Sequence, residues 1–310
     1  MEYRLLGKTG MKVSSLSFGA SSLAGGVFRP VEEPEAIRAV ATALDLGINF
    51  IDVSPFYGIT KCETVLGKAL RGVPRDSYFL ATKVGRYGDD EFDFSGKRTK
   101  QSVDESLARM GVDYVDILQA HDLEYGDLDY VIHETLPTLR EIQKAGKARF
   151  IGVTGYPLHI FDYILQRADV DTILSYNHYS INDTTLLRLL PLLKEKGVGV
   201  INASPLSQGL LSNRGTPVWH PAPPAVKEAC AKAAAWCKEQ GRDIAKLAVQ
   251  FSVSYPGIAT TLVGTADPEN IRKNVAWVEE PIDQALLQKV SAMLQEIKDV
   301  TWATGRPENN

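Results

Sequence analysis

The chain has 310 residues, of which 44% are hydrophobic and 23% are charged, and its formal net charge is −4. This is the composition of an ordinary globular protein, and the small negative charge provides no general attraction to nucleic acid or to anionic membranes. Because no run approaches the roughly 18 uninterrupted apolar residues of a membrane span and neither terminus carries a targeting signal, we expect a cytoplasmic protein. We expect no nucleic-acid or membrane partner and infer no obligate protein partner.

The chain begins with a segment, 3–13, that predicts a β-hairpin around a Lys8-Thr9-Gly10 turn. Eight short apolar runs rich in β-forming residues then follow one another to residue 264. They are predicted strands at 15–19, 48–52, 78–83, 115–121, 149–154, 172–177, 198–204 and 260–264.

Helical patterns separate these strands. Five of them are followed directly by glycine, which is the usual C-terminal signal of a helix. They cover 35–46, 63–71, 99–110, 128–145 and 184–196. Eight strands alternating with helices predict parallel βαβ units and therefore an α/β fold, a (β/α)8 TIM barrel. The barrel is a single domain, 1–310, because no linker interrupts the pattern.

Two additions to the simple barrel are predicted. The gap between the seventh and eighth strands holds a Pro-rich loop, a helix at 225–240 and another near 244–255. A last helix, at 284–300, follows the barrel. The cysteines are Cys62, Cys230 and Cys237, and no histidine lies near the latter two, so we expect neither a disulfide framework nor a metal site.

Polar residues stand where three consecutive strands end. Asp52 and Tyr57 follow the second strand, Lys83 ends the third and His121 ends the fourth. Barrel enzymes carry their chemistry at this end of the strands. We therefore expect Asp52 to pair with Lys83, and Lys83 to lower the pKa of Tyr57 so that the phenol exchanges protons with a carbinol or carbonyl. The alternative is a purely structural ion pair with two hydrogen-bonding neighbours.

At this point the sequence resembles the aldo-keto reductases over essentially its whole length. The motifs that carry the resemblance are N-F-I-D-V-S-P-F-Y-G (49–58), E-T-V-L-G-K-A-L-R-G (63–72), A-T-K-V-G (81–85), S-P-L-S-Q-G-L-L (204–211) and T-L-V-G-T-A-D-P-E-N-I-R-K-N (261–274). The resemblance implies that Asp52, Tyr57, Lys83 and His121 are the family's catalytic tetrad. It is strongest to members that oxidise a sugar at C1 to a lactone.

A nicotinamide cofactor follows from the resemblance, although the chain has no G-x-G-x-x-G motif. The loops after the seventh and eighth strands would hold the phosphates, helped by the N-terminus of the helix after Asp267. The predicted cofactor residues are Thr154, Ser175, Asn177, Ser204, Leu206, Gly209, Gly264, Thr265, Asn270 and Asn274.

Cofactor choice is predicted from the residues after the eighth strand. In family members that prefer NADP, cationic side chains there bind the 2′-phosphate. The matching positions are the uncharged Gly264 and Asn270, while Arg272 and Lys273 are close by but do not match. We therefore expect NAD. The family's aromatic residue that stacks on the nicotinamide after the seventh strand is replaced by Ala203.

The expected substrate is a small sugar, with His121, Phe56 and Asp122 as its predicted contacts. Asp122 is equally well explained as a loop cap. Two other functions are compatible with the sequence: an NADPH-dependent aldehyde or ketone reductase, and a non-catalytic regulatory subunit built on the same fold.

Overall fold

The computed structural model describes residues 1–25 and 29–310. Its centre is a closed barrel of eight parallel strands that pair in chain order, with the last strand pairing with the first. Before the barrel, β1 (Tyr3–Leu5) and β2 (Lys12–Ser14) form an antiparallel hairpin. The barrel strands are β3 (Leu16–Gly19), β4 (Phe50–Asp52), β5 (Phe79–Val84), β6 (Val115–Ala120), β7 (Ala148–Gly155), β8 (Thr172–Tyr176), β9 (Gly199–Ala203) and β10 (Thr260–Gly264).

Helices surround the barrel. They are α1 (Glu33–Asp45), α2 (Lys61–Ala69), α3 (Gly96–Met110), α4 (Leu128–Tyr130), α5 (Leu136–Lys144), α6 (Leu158–Arg167), α7 (Leu190–Glu195), α8 (Pro224–Glu239), α9 (Ile244–Ser254), α10 (Pro268–Glu279) and α11 (Gln284–Met293). The barrel, the hairpin and the extra helices after the seventh barrel strand and at the C-terminus are confirmed.

The helices differ from the prediction in four places. The predicted helix at 284–300 ends at Met293. The predicted helix at 128–145 is divided by a π-helical turn, Val131–Thr135, just before Pro137. Proline has no N–H to donate to the carbonyl four residues earlier, which favours such a turn. The predicted helix at 184–196 begins as a 3₁₀ turn and is α-helical only from Leu190. The helix Leu158–Arg167 was not predicted.

The hairpin covers the N-terminal end of the barrel. Leu6, Met11 and Val13 pack in one buried cluster with Phe50 and Ile117 from inside the barrel. Gly7 makes this approach possible, because a Cβ on it would lie 2.3 Å from the backbone nitrogen of Gly199, and its φ of +53° is left-handed. With this end closed by apolar side chains, the opposite end is where a ligand has access.

The described residues contain no helix long and apolar enough to cross a membrane. Within 1–25 and 29–310 there is also no cluster of three or more His, Cys, Asp or Glu side chains arranged to hold a metal ion. The three cysteines are buried and have no disulfide partner in the described part of the chain.

Candidate active site

An ion pair between Asp52 and Lys83 lies at the C-terminal end of the barrel. Asp52 is the last residue of β4 and Lys83 is near the end of β5, and the side chains are 3% and 1% exposed. The Lys83 ammonium contacts Asp52 and donates to the carbonyl oxygen of Val53 at 2.9 Å. Gln119 Nε2 donates to the second Asp52 oxygen at 2.8 Å. This set of partners compensates for removing both charges from water.

Lys83 keeps its charge in this environment. Burial alone would lower the pKa of Lys83, but the charges and hydrogen bonds of Asp52 and Tyr57 together outweigh burial, so the pKa is raised. The ammonium also approaches Tyr57, with Nζ 3.2 Å from Oη and 4.6 Å from the ring centroid. The predicted grouping of Asp52, Lys83 and Tyr57 is therefore present in the structure.

The acidity of Tyr57 differs from the prediction. Burial raises the pKa of Tyr57 to about 12, although Lys83 acts in the opposite direction. The expected net lowering of this pKa is therefore wrong for the protein alone, because the cost of burying a phenolate exceeds its attraction to one ammonium that is already shared with Asp52. Lys83 still makes the phenol more acidic than burial alone would leave it.

His121 completes the group as a neutral imidazole. Burial lowers the pKa of His121 to about 3. Its Nδ1 lies 3.1 Å from the hydroxyl of Ser54, which already accepts the backbone N–H of Phe56 and so has its hydrogen available for Nδ1. The other nitrogen, Nε2, lies 3.5 Å from Asp122 Oδ2, an acceptor. Both contacts favour the tautomer with hydrogen on Nε2.

A second ion pair lies beside His121. Arg86 Nη1 is 2.7 Å from Asp122 Oδ2, and the guanidinium lies 3.9 Å from the centroid of the Phe56 ring. The backbone N–H of Asp122 donates to Thr154 Oγ1 at 3.0 Å. Burial would raise the pKa of Asp122, but its charged neighbours lower it. Because His121 is neutral, the paired Arg86 is the cation that keeps the carboxylate ionised.

These groups face one large cavity of about 700 Å³. All four members of the predicted tetrad line it, as do the predicted substrate contacts Phe56 and Asp122. Eight of the ten predicted cofactor residues also line the cavity, namely Thr154, Ser204, Leu206, Gly209, Gly264, Thr265, Asn270 and Asn274.

Ser175 and Asn177 do not line this cavity. Successive residues of a strand point to opposite faces, and here Leu174 and Tyr176 face the cavity instead. Asn177 Nδ2 donates at 3.2 Å to Gln208 Oε1, and Gln208 does line the cavity. The predicted direct contact of Ser175 and Asn177 with the cofactor is thus not supported by the geometry, and Asn177 instead holds Gln208 in place.

Sequence reasoning missed several residues of the cavity wall. Tyr176 of β8 is paired in register with Ala203 of β9, so an aromatic side chain is present one strand away from the position expected for it. Ser21 and Ser22 follow the first barrel strand and also line the cavity. Their signal was the small polar sequence A-S-S at the end of that strand.

Cationic side chains also reach the cavity. Lys273 and Arg214 line it, whereas Arg272 is not among the lining residues and lies 3.3 Å from Glu269 on the exposed side of α10. Lys273 therefore provides a cation on the α10 side of the cavity, although it does not stand at Gly264 or Asn270, the positions of the family's cationic residues.

The residues around Gly264 fit a dinucleotide. Hydroxyl groups of Ser21, Ser22 and Thr265 line the same wall, and a Cβ on Gly264 would lie 3.2 Å from Ser21 Oγ, so this wall is built around a residue without a side chain. Ser204, at φ +61°, begins a tightly turned loop after β9, the strand that pairs with β10 beside Gly264. The wall thus offers small hydroxyl donors and accessible backbone, which suit phosphate oxygens.

The N-terminus of α10 is less open to an anion than predicted. Asp267 caps this helix, and its Oδ1 accepts the backbone N–H of Glu269 at 2.9 Å. A carboxylate already occupies the electropositive end of the helix, and the next residue, Pro268, has no N–H. The hydroxyl groups and the glycine backbone are therefore the better candidates for phosphate contacts.

A closed (β/α)8 barrel with a lysine-paired tyrosine and a neutral histidine in a deep cavity has the architecture of an oxidoreductase acting at a carbinol or carbonyl. The chain belongs to the aldo-keto reductases: the profile described as the Aldo/keto reductase family matches residues 15–295.

Relatives of known activity extend this result. The chain is 51% identical to L-galactose dehydrogenase of Arabidopsis thaliana, over 100% of this chain and 99% of that one. It is 33% identical to D-arabinose 1-dehydrogenase of Saccharomyces cerevisiae, over 78% of this chain and 76% of that one. Among solved structures, an aldo-keto reductase from Bacillus halodurans in its holo form aligns with a TM-score of 0.80 at 30% identity, covering 97% and 98% of the two chains.

Proposed function

We propose that this protein oxidises an aldose at C1 with NAD, and that its substrate is L-galactose and its product L-galactono-1,4-lactone. The reaction class rests on one observation, the 3.2 Å contact between Lys83 Nζ and Tyr57 Oη at the cavity wall. The substrate is supported by the 51% identity to an L-galactose dehydrogenase across the full chain and by the further match to another sugar 1-dehydrogenase.

The tetrad residues have distinct proposed roles. Tyr57 Oη accepts the proton of the C1 hydroxyl as the general base. Lys83 favours the phenolate by its charge, and Asp52 holds Lys83 in position. His121 is neutral, and its Nε2–H donates to the substrate oxygen and orients it. Phe56 and Asp122 contact the sugar.

The bound nicotinamide cofactor supplies the acceptor for the hydride that leaves C1. Ser21, Ser22, Gly264 and Thr265 would contact its phosphates, and the amides of Asn270 and Asn274 would bond its adenosine portion. The remaining cavity-lining residues among those predicted, Thr154, Ser204, Leu206 and Gly209, stay proposed cofactor contacts.

NAD is proposed over NADP because Gly264 and Asn270 carry no charge. One observation supports a second candidate function, an NADPH-dependent aldehyde or ketone reductase: Lys273 lines the cavity and is able to pair with a 2′-phosphate. The direction of the reaction and the cofactor preference separate the two functions.

The wider setting is part of the same proposal. We extend it to ascorbate biosynthesis as the pathway, to the cytoplasm as the compartment and to a single domain spanning 1–310.

The experiment is a turnover assay with the purified protein, L-galactose and each cofactor, followed by the absorbance of reduced nicotinamide and by identification of the lactone. Other aldoses and simple aldehydes complete the panel. Oxidation of L-galactose with NAD is the expected result. Turnover confined to NADPH and aldehydes would establish the second candidate, and binding of cofactor without any turnover would establish a regulatory subunit.

A further inference from the structure

We propose that Arg86 and Asp122 form a pair that binds a ring hydroxyl of the substrate and so selects a polyhydroxylated sugar over a plain aldehyde or alcohol. The inference rests on the proposed sugar oxidation and adds Arg86, a residue for which the sequence indicated no role. Four observations support it: the placement of the pair, the open donor on Arg86, the conformation of Asp122, and the contrast with a second pair elsewhere in the barrel.

The pair is placed within reach of a substrate held by His121. Asp122 Oδ2 lies 3.5 Å from His121 Nε2, the atom proposed to bond the reacting oxygen, and both Arg86 and Asp122 line the cavity. A hydroxyl on a carbon near the reacting carbon of a sugar would therefore lie close to the pair.

Arg86 is held rigidly and keeps donors available. Its guanidinium lies 3.9 Å from the centroid of the Phe56 ring and 5.1 Å from that of Tyr125, and its side chain is 15% exposed. Nη1 donates to Asp122, and Nε donates weakly to the carbonyl of Gly88 at 3.4 Å. Nη2 donates to no residue in the described portions of the chain. A planar guanidinium fixed by aromatic rings with one free edge is well suited to a polar ligand.

Asp122 is held in an unusual backbone conformation. Its φ is +53°, in the left-handed region, and its N–H is fixed by Thr154 Oγ1. Oδ1 has only a distant contact, 3.5 Å from Thr154 Oγ1. The carboxylate therefore keeps acceptor capacity on the oxygen that Arg86 does not occupy. A sugar hydroxyl both donates and accepts, so it satisfies Asp122 and Arg86 together, which a hydrocarbon group cannot do.

A structural ion pair in the same barrel shows the difference. Arg75 and Asp116 are also 2.7 Å apart, but Asp116 accepts further bonds from Arg149 and from the backbone N–H of Leu80. Every nitrogen of Arg75 donates, to Asp116 or to the carbonyls of neighbouring residues. Arg75 and Asp116 thus leave no capacity for a ligand, whereas Arg86 and Asp122 do.

The test compares substrates that differ by one hydroxyl. The kcat/KM of the holoenzyme is measured for L-galactose and for each of its monodeoxy analogues that retains the C1 hydroxyl, in the wild type, Asp122→Asn and Arg86→Gln. In the wild type, one analogue should lose about 10- to 100-fold relative to L-galactose, as expected for a hydrogen bond to a charged group. In both variants the same analogue should lose less than about 3-fold, because the group that recognised the hydroxyl is gone.

The matched control is Arg75→Gln, which removes an arginine from the structural pair and should keep the wild-type ratio between the two substrates. If Arg86 and Asp122 had a purely structural role, their substitution would lower kcat/KM equally for all substrates. An unchanged ratio of kcat/KM between L-galactose and the analogue in the variants would therefore overturn the inference. It would also be overturned if no analogue were discriminated by the wild type. Absence of turnover with every sugar would instead overturn the proposed function itself.

Discussion

An arginine–aspartate pair lies at each end of strands β5 and β6. One pair is bonded only to other protein groups, whereas the other faces the cavity. At the N-terminal end Arg75 and Asp116 are 2.7 Å apart, and at the C-terminal end Arg86 and Asp122 are also 2.7 Å apart. Both arginines also lie against aromatic rings, with the guanidinium of Arg75 4.1 Å from the centroid of Tyr114. The local chemistry is therefore the same at both ends.

The surroundings decide what each pair does. The N-terminal pair is saturated by further protein donors and acceptors, so it ties the loop before β5 to the start of β6. The C-terminal pair opens onto the cavity beside the tyrosine and histidine. In a (β/α)8 barrel, the loops at the C-terminal end of the strands form the ligand site, whereas residues at the N-terminal end contribute to stability.

Replacing Tyr57 with Phe should have the largest effect at the cavity end. The variant loses one buried oxygen, so folding and NAD binding should be largely unchanged. Without the general base, the rate should fall by about 10²- to 10⁴-fold. Measurements are kcat for L-galactose and a fluorescence titration with NAD. Near-normal turnover would show that another group, with His121 the first candidate, takes the proton.

Lys83→Met should lower kcat by a similarly large factor and change its pH dependence. The phenolate of Tyr57 is the active form, so oxidation should become faster as pH rises toward its pKa, which burial raises to about 12. Lys83 acts to lower that pKa, so its removal moves the rise to still higher pH. His121, whose pKa is lowered to about 3, stays neutral throughout and adds no second transition.

The measurement is a pH–rate profile at saturating NAD for the wild type and Lys83→Met. Because the substitution leaves Asp52 buried without its cation, thermal unfolding is recorded in parallel. Asp52→Asn provides a second variant that retains the lysine charge but weakens its positioning. Coincident profiles for wild type and Lys83→Met, in height and midpoint, would show that Lys83 does not tune Tyr57.

The four tetrad residues were largely predictable because each stands at or just after the end of a strand that is recognisable in the sequence. The tetrad follows buried apolar runs such as V-D-I-L-Q-A-H, and parallel strands bring their ends together at one rim. The eight barrel strands were predictable because each is a short apolar run in the sequence. The direction of the Tyr57 pKa shift was not predictable, because it depends on how fully the phenol is buried rather than on which residue lies beside it.

Other features were not predicted, because they depend on the direction of a side chain or because the usual glycine after a helix is absent. The helix Leu158–Arg167 has an amphipathic pattern but is followed by Ala168 in an extended conformation, so the glycine signal used for the other helices was absent. Tyr176 faces the cavity and Ser175 faces away because of strand parity, which a shift of one residue reverses. Arg86 was missed because its pairing with Asp122 joins two loops that are distant in sequence.

The two aspartates, Asp116 and Asp122, should respond differently to the same substitution. Asp116→Asn should lower the free energy of unfolding by about 1–3 kcal/mol, because it weakens charge-assisted bonds from Arg75 and Arg149 and the bond from the Leu80 N–H. Its kcat should stay close to that of the wild type. Asp122→Asn should cost less stability, since asparagine tolerates a positive φ and the carboxylate has fewer protein donors. Urea denaturation measures both.

The proposed difference between the two pairs would be wrong if Asp122→Asn were the more destabilising of the two substitutions. The C-terminal pair would then be structural in the same sense as the N-terminal pair. A fall in kcat for Asp116→Asn without loss of stability would contradict the division from the other side, because Asp116 lies at the opposite end of β6 from His121.

The smallest expected effect concerns cofactor choice. The wild type should have a higher kcat/KM with NAD than with NADP, because Gly264 and Asn270 provide no charge for a 2′-phosphate. Lys273 is the cation on α10 that lines the cavity, whereas Arg272 is engaged by Glu269 outside it. Lys273→Met should therefore reduce kcat/KM with NADP by about a few-fold, because an exposed ion pair contributes little free energy. The kcat/KM with NAD should stay nearly unchanged.

Arg272→Met is the matched control, since it removes a neighbouring cation of the same helix that does not face the cavity. It should leave the ratio of kcat/KM for the two cofactors unaltered. The dependence on Lys273 should also weaken as salt concentration rises, because an exposed pair is screened. A wild-type preference for NADP that disappears in Lys273→Met would identify this lysine as the 2′-phosphate contact. It would also show that the cavity end obtains its cofactor specificity from a position that the family pattern does not mark.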